Sequence, residues 1–194
     1  MELSESTTFG DLLCARRGIA ALMTGIGLPP ATWLGRTVLE GTAAAGVDAS
    51  EILDRVAGMQ PRAGATGRPG DTARQNARSL EHSLGASLPE TLALAAKVAA
   101  VHGPKDASLQ TLQQVIEELS EASVEHLEGD DAHAESRRAQ LDSLLGRARS
   151  LTDGYRTPAW ACRTMTRYYE ALANLDEAIA DQLALEALAE DARG

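Results

Sequence analysis

The sequence predicts an all-α protein, a small N-terminal three-helix module followed by four longer helices. Three observations predict it. Ala and Leu dominate a chain with only 3% aromatic residues, so runs of strand-forming residues are scarce. Apolar residues recur at helical spacing between clusters of Gly and Pro. With 194 residues, 44% of them hydrophobic, the chain can bury a sizeable core.

Residues 7–25, TTFGDLLCARRGIAALMTG, predict one helix, because Phe9, Leu12, Leu13, Ile19, Ala20 and Leu22 follow its repeat. Thr7 or Thr8 caps its start and Gly25 ends it. Pro29 and Pro30 break the chain, and Trp33 is the expected apolar plug of that loop. A short helix follows over 37–45, stopped by Gly46. Asp48 caps a third helix, with Glu51 at capping-box spacing. The module spans 1–58, and the Gly/Pro-rich stretch 59–71 reads as a flexible linker.

Four main helices are expected over 72–194. The first runs over 72–84 and restarts at Ser87-Leu88-Pro89-Glu90, where Ser87 is a capping residue and Pro89 a first-turn proline. His102-Gly103-Pro104 ends it. The second covers 108–134, with an apolar stripe from Leu109, Leu112, Val115, Ile116, Leu119 and Leu127. The third covers 136–151, and the fourth runs from Pro158 or Ala159 to the C-terminus.

A net charge of −10 argues against nucleic acid and anionic membranes as partners. No apolar run reads as long enough to span a bilayer, and the N-terminus lacks signal-peptide character. The expected location is the cytoplasm. Cys14 and Cys162 match no zinc spacing. With no histidine near either in sequence, both read as small core residues, not nucleophiles. No phosphate-binding Gly-rich loop and no Gly-x-Ser-x-Gly elbow is present. Tyr169 shares an inward stripe with Met165 and Leu172, whereas Tyr168 falls on another face.

The stretch 97–131 holds the residues with the most chemistry. His126 and Asp130 are four apart, on one face of the expected second helix. Such a pair can form half of a metal site inside a helical bundle. Taken singly, His102 also reads as a helix C-terminal residue favoured by the dipole. His126 alone reads as a packed or surface histidine, and Asp130-Asp131 alone as solvated. His82 and His133 read as surface residues.

Several segments, in order, resemble the di-iron family that repairs iron-sulfur centres. They are TFGDLL, TVLEGTAAAGVDASEIL, LPETLALAAKVAAVHG, EELSEASVEHLEGDD and SLLGRARSLTDGYRTPAWACRTMTRYYEAL. The resemblance covers nearly the whole chain. It implies a small N-terminal domain joined to a hemerythrin-like (HHE) up-down four-helix bundle that binds two irons through histidines and carboxylates. On this sequence its ligand positions fall on Glu81, His102, His126 and Asp130, on Arg137 and Arg138, and on Gln182 and Glu186. Its paired N-terminal cysteines fall on Ala31 and Thr32.

Three of the implied imidazoles are therefore missing. Arg138 stands where one would be, and a guanidinium stays protonated and cannot ligate iron. The resemblance then leads to a diverged, non-catalytic relative with no cofactor. Its pocket is metal-free and charge-compensated by Arg138, with Arg137 and Gln182 beside it. It would act as a binding or regulatory protein with a protein partner or small-molecule ligand. One alternative is a single iron, manganese or zinc at His102, His126, Asp130 and Glu186, with Glu81 as a further ligand. That metalloprotein would serve iron handling or the response to nitric oxide or oxygen stress. Another is an enzyme that uses the bundle pocket for a small ligand.

Overall fold

The periodicity of the chain is realised as helix throughout. The computed structural model describes residues 3–62, 69–129 and 133–192, and among them it has nine helices and no strand. Five are short: α1 Phe9–Ala15, α2 Ile19–Gly25, α3 Pro30–Trp33, α4 Val38–Ala45 and α5 Ala49–Ala57. Four are longer: α6 Pro69–His102, α7 Ser108–Glu128, α8 Ala134–Leu151 and α9 Arg163–Asp191. The chain groups into two compact units, each containing part of α6 and part of α9. One comprises 1–82 with 177–194, and the other 83–176.

In the first unit, the helix expected over 7–25 is two helices. Gly18 turns the chain between them at φ +80°, a conformation that favours glycine. The break satisfies the backbone groups it exposes with side chains from far along the sequence. At the end of α1, Arg62 Nε donates to the Leu13 carbonyl (2.9 Å) and Asn76 Nδ2 to that of Cys14 (3.0 Å). The Arg62 backbone N–H donates to the Ala15 carbonyl at 2.9 Å. At the start of α2, Gly18 N and Ala20 N donate to Asp181 at 2.7 and 3.0 Å. Helix ends need such partners, and here α6, α9 and the segment after α5 supply them. Apolar periodicity alone could not reveal the break.

The start of the expected linker is tied down as well. Arg17 N donates to the Gln60 carbonyl at 3.0 Å, and Arg16 pairs with Pro61 as an isolated bridge. Residues 63–68 lie outside the described residues. Between α2 and α4, Leu28 and Leu34 fill the core while Trp33 is half-buried against it, so the two leucines are the plug. Thr37 and Glu40 cap α4 reciprocally, and Gly46 ends it at φ +69°. Asp48 caps α5 through the amides of Ser50 and Glu51. Gly41 lets α4 approach α1, since a Cβ there would stand 2.4 Å from Phe9 Cε2. Phe9, Leu12, Ile19, Met23 and Ile52 share one apolar core with Ala73 and Ala77 of α6 and Leu185 of α9.

In α6 the expected restart is absent, because Pro89 lies inside one continuous helix. Pro89 has no N–H to give the Gly85 carbonyl. The tertiary contacts outweigh that loss: Leu84, Leu88, Thr91, Ala95 and Val98 bury one face at three- and four-residue spacing. The stretch Gly70–His102 is also long and apolar enough, by length and composition, to cross a bilayer, contrary to the sequence expectation. Core helices meet the same test, and Glu90 and Lys97 are exposed along this one.

In the second unit, α7 and α8 pack on each other, and Leu112, Val115, Ile116 and Leu119 of α7 and Leu141, Leu144 and Leu145 of α8 are buried. Tyr168 and Tyr169 of α9 are both buried, with their rings edge-on at 6.1 Å. Tyr168 therefore belongs to the core as much as Tyr169 does. Helix α9 starts at Arg163, five residues after Pro158, and Cys162 takes the capping position.

Candidate functional site

The residues singled out from the sequence fall in both compact units. In the first, Glu81 and His82 are exposed on α6. Gln182 is buried on α9, and its Nε2 donates to Glu186 Oε1 at 2.7 Å. One turn separates the two, so an amide holds the carboxylate where the resemblance implies a histidine and a glutamate.

In the second unit, His126 is half-buried near the end of α7, and Arg137 and Arg138 are half-buried in the first turns of α8. Each of the three residues makes an interaction with the rest of the protein, as does Glu186 in the first unit. The Arg137 guanidinium lies against Gly129, where a Cβ would stand 2.6 Å from its Cζ. Asp130 and Asp131 lie outside the described residues, and His133 is exposed.

His102 ends α6, and its carbonyl accepts from the amides of Lys105 and Asp106 at 2.9 and 3.0 Å. Gly103 makes this turn possible, since a Cβ there would stand 2.3 Å from the Ala99 carbonyl oxygen. Among the described residues, no carboxylate hydrogen-bonds or pairs with the ring of His102. Its Nε2 shares a hydrogen bond with Cys162 Sγ at 3.2 Å, and the Trp160 ring lies 5.9 Å away.

Cys162 is exposed, which corrects its assignment to the core. Sixty residues separate it from His102, so no local spacing could announce the pair. The thiol is drawn down to about 7. The N–H of Met165 is the largest cause, His102 the next, and the N–H of Thr164 adds to them. Cys14 is the opposite case: burial and nearby Asp11 push its thiol up to about 11.

Two ion pairs, one buried and one part-buried, were not legible in the sequence. In the first unit, Asp181 pairs with Arg62, and both side chains are almost wholly buried. Burial pushes the Asp181 carboxyl up to about 6, against the pull of Arg62 and of the amides of Gly18 and Ala20. In the second unit, Arg149 Nε and Nη2 grip Asp176 Oδ2 and Oδ1 at 2.6 and 2.5 Å. Burial and the nearby Asp176 carboxylate push the Tyr155 phenol up, in a turn where Asp153, Gly154 and Tyr155 all have positive φ. The only sequence signal was two aspartates on one helix of otherwise apolar stripe, NLDEAIADQ.

The donor set does not fit a two-iron centre. Such a centre takes several imidazoles with bridging carboxylates. Among the described residues, no three His, Cys, Asp or Glu side chains gather to hold a metal ion. At the positions the resemblance implies, Arg138 and Gln182 bring a cation and an amide instead of imidazoles. No protein-family model matches the chain, and no curated protein matches it.

Proposed function

We propose that this chain is a diverged, non-catalytic relative of the iron-centre repair proteins, acting as a helical binding or regulatory protein. Its polar interior is held by protein side chains in place of a metal. The finer fold belongs to the same reading: α6 to α9 form a hemerythrin-like up-down bundle, with the short helices α1 to α5 as the N-terminal domain. Four long helices in the expected order support it.

The observation that carries the reading is the bond from Gln182 Nε2 to Glu186 Oε1. Glu186 is half-buried, and a carboxylate drawn out of water without a cation costs free energy, on the order of several kcal/mol when burial is complete, unless hydrogen bonds or a countercharge replace the metal. Gln182 supplies one such bond.

Metal analysis of protein purified from cells grown with added iron tests the reading. Less than about a tenth of an equivalent of iron, manganese or zinc per chain is expected. One equivalent would favour the single-metal alternative, and two would overturn the fit argument. The double variant Arg138→His with Gln182→His should raise iron uptake. No rise would count against the assignment of ligand positions.

A further inference from the structure

Cys162 combines three features in one place. Its Sγ is exposed, it stands at the capping position of the 29-residue helix α9, and it shares a hydrogen bond with His102 Nε2. The partner is not a chance surface neighbour. The backbone of His102 is fixed by the turn at Gly103, and the half-exposed Trp160 ring lies 5.9 Å from its own ring. An imidazole within reach of a thiol is the arrangement that activates sulfur as a nucleophile.

We propose that Cys162 is a thiol–disulfide exchange site, with His102 as its proton acceptor and small-molecule disulfides as its co-reactants. The thiol proton passes to His102 Nε2, and Sγ attacks one sulfur of the disulfide. The disulfide bond breaks as the Cys162–sulfur bond forms. The departing thiolate carries the electron pair of the broken bond and takes up the proton from His102. One thiol is consumed and one is released, so the step balances without a further oxidant.

The product stays a mixed disulfide. The sequence holds only two cysteines, and the other, Cys14, is buried, so no accessible second thiol of the same chain resolves it. Such a site reports the thiol–disulfide balance around the protein by gaining or losing one adduct. The adduct would form beside Trp160, where fluorescence can follow it.

Oxidised glutathione with the full chain is the test, read by intact mass and by Trp160 emission in a Trp33→Phe background. One reductant-reversible adduct per chain is expected, on Cys162, and none in Cys162→Ser. The folded chain should react about fivefold faster per thiol than the same chain in urea. His102→Asn, checked for an unchanged melting curve, should slow the reaction about fivefold or more. Where that variant melts early, the folded-against-unfolded comparison decides alone. Equal or slower reaction of the folded chain, an adduct on Cys14 instead, or a well-folded His102→Asn reacting as fast as the parent would each overturn the proposal.

Discussion

Asp181→Ala is the substitution with the largest consequence for the first compact unit. The carboxylate holds the amides of Gly18 and Ala20, and with them the start of α2, and it pairs with Arg62. The Arg62 side chain is only 5% exposed, so the variant leaves a guanidinium without its countercharge and out of water. Breaking a buried pair from one side costs about 3–5 kcal/mol. The amides of Gly18 and Ala20 are buried as well and lose their acceptor, which adds about 1–3 kcal/mol. Because the three bonds form one network, their losses overlap, and a total of about 4 kcal/mol is expected. Trp33 lies in this unit and Trp160 in the other, so urea unfolding followed by fluorescence in a Trp160→Phe background reads the first unit alone. Arg62→Met combined with Asp181→Leu removes both charges and should cost less than Asp181→Ala by itself. A loss below about 1 kcal/mol for Asp181→Ala, or a double variant as unstable as the sum of its parts, would refute the argument.

Other outcomes follow from the same geometry. Asp176→Ala should destabilise the second unit by about 1–3 kcal/mol, less than Asp181→Ala. The reason is that Arg149 is a third exposed and can turn to water; Trp160 emission in a Trp33→Phe background measures it. Gly41→Ala and Gly103→Ala should each lower stability by about 1–3 kcal/mol, since a Cβ would meet Phe9 and the Ala99 carbonyl. Gly85→Ala, in open space inside α6, should instead raise it by about 0.5–1 kcal/mol; thermal melts separate the three. Alkylation of Cys162 by iodoacetamide should speed up as pH rises, because the thiolate is the nucleophile, with a midpoint near 7. Cys14 should stay unreactive until about pH 11 or unfolding, and a Cys162 midpoint near 9 would contradict the contacts described.

What the sequence determined by itself was local. Helical class, the cap at Asp48, the stops at Gly46 and His102, and the buried stripe of α7 all depend on residues within about one turn of each other. Tertiary structure decided whatever depended on residues brought from afar. The helix expected over 7–25 broke because Arg62, Asn76 and Asp181 stand ready to satisfy its ends. The expected restart at Pro89 vanished because one continuous face of α6 is buried. Of the candidate site, the sequence picked out His102, Gln182 and Glu186 but not their surroundings. The amide–carboxylate pair at 182 and 186 was within reach of sequence reasoning, being one helical turn apart. The partner of His102 was not, because folding alone carries Cys162 across sixty residues to within hydrogen-bonding distance of its ring.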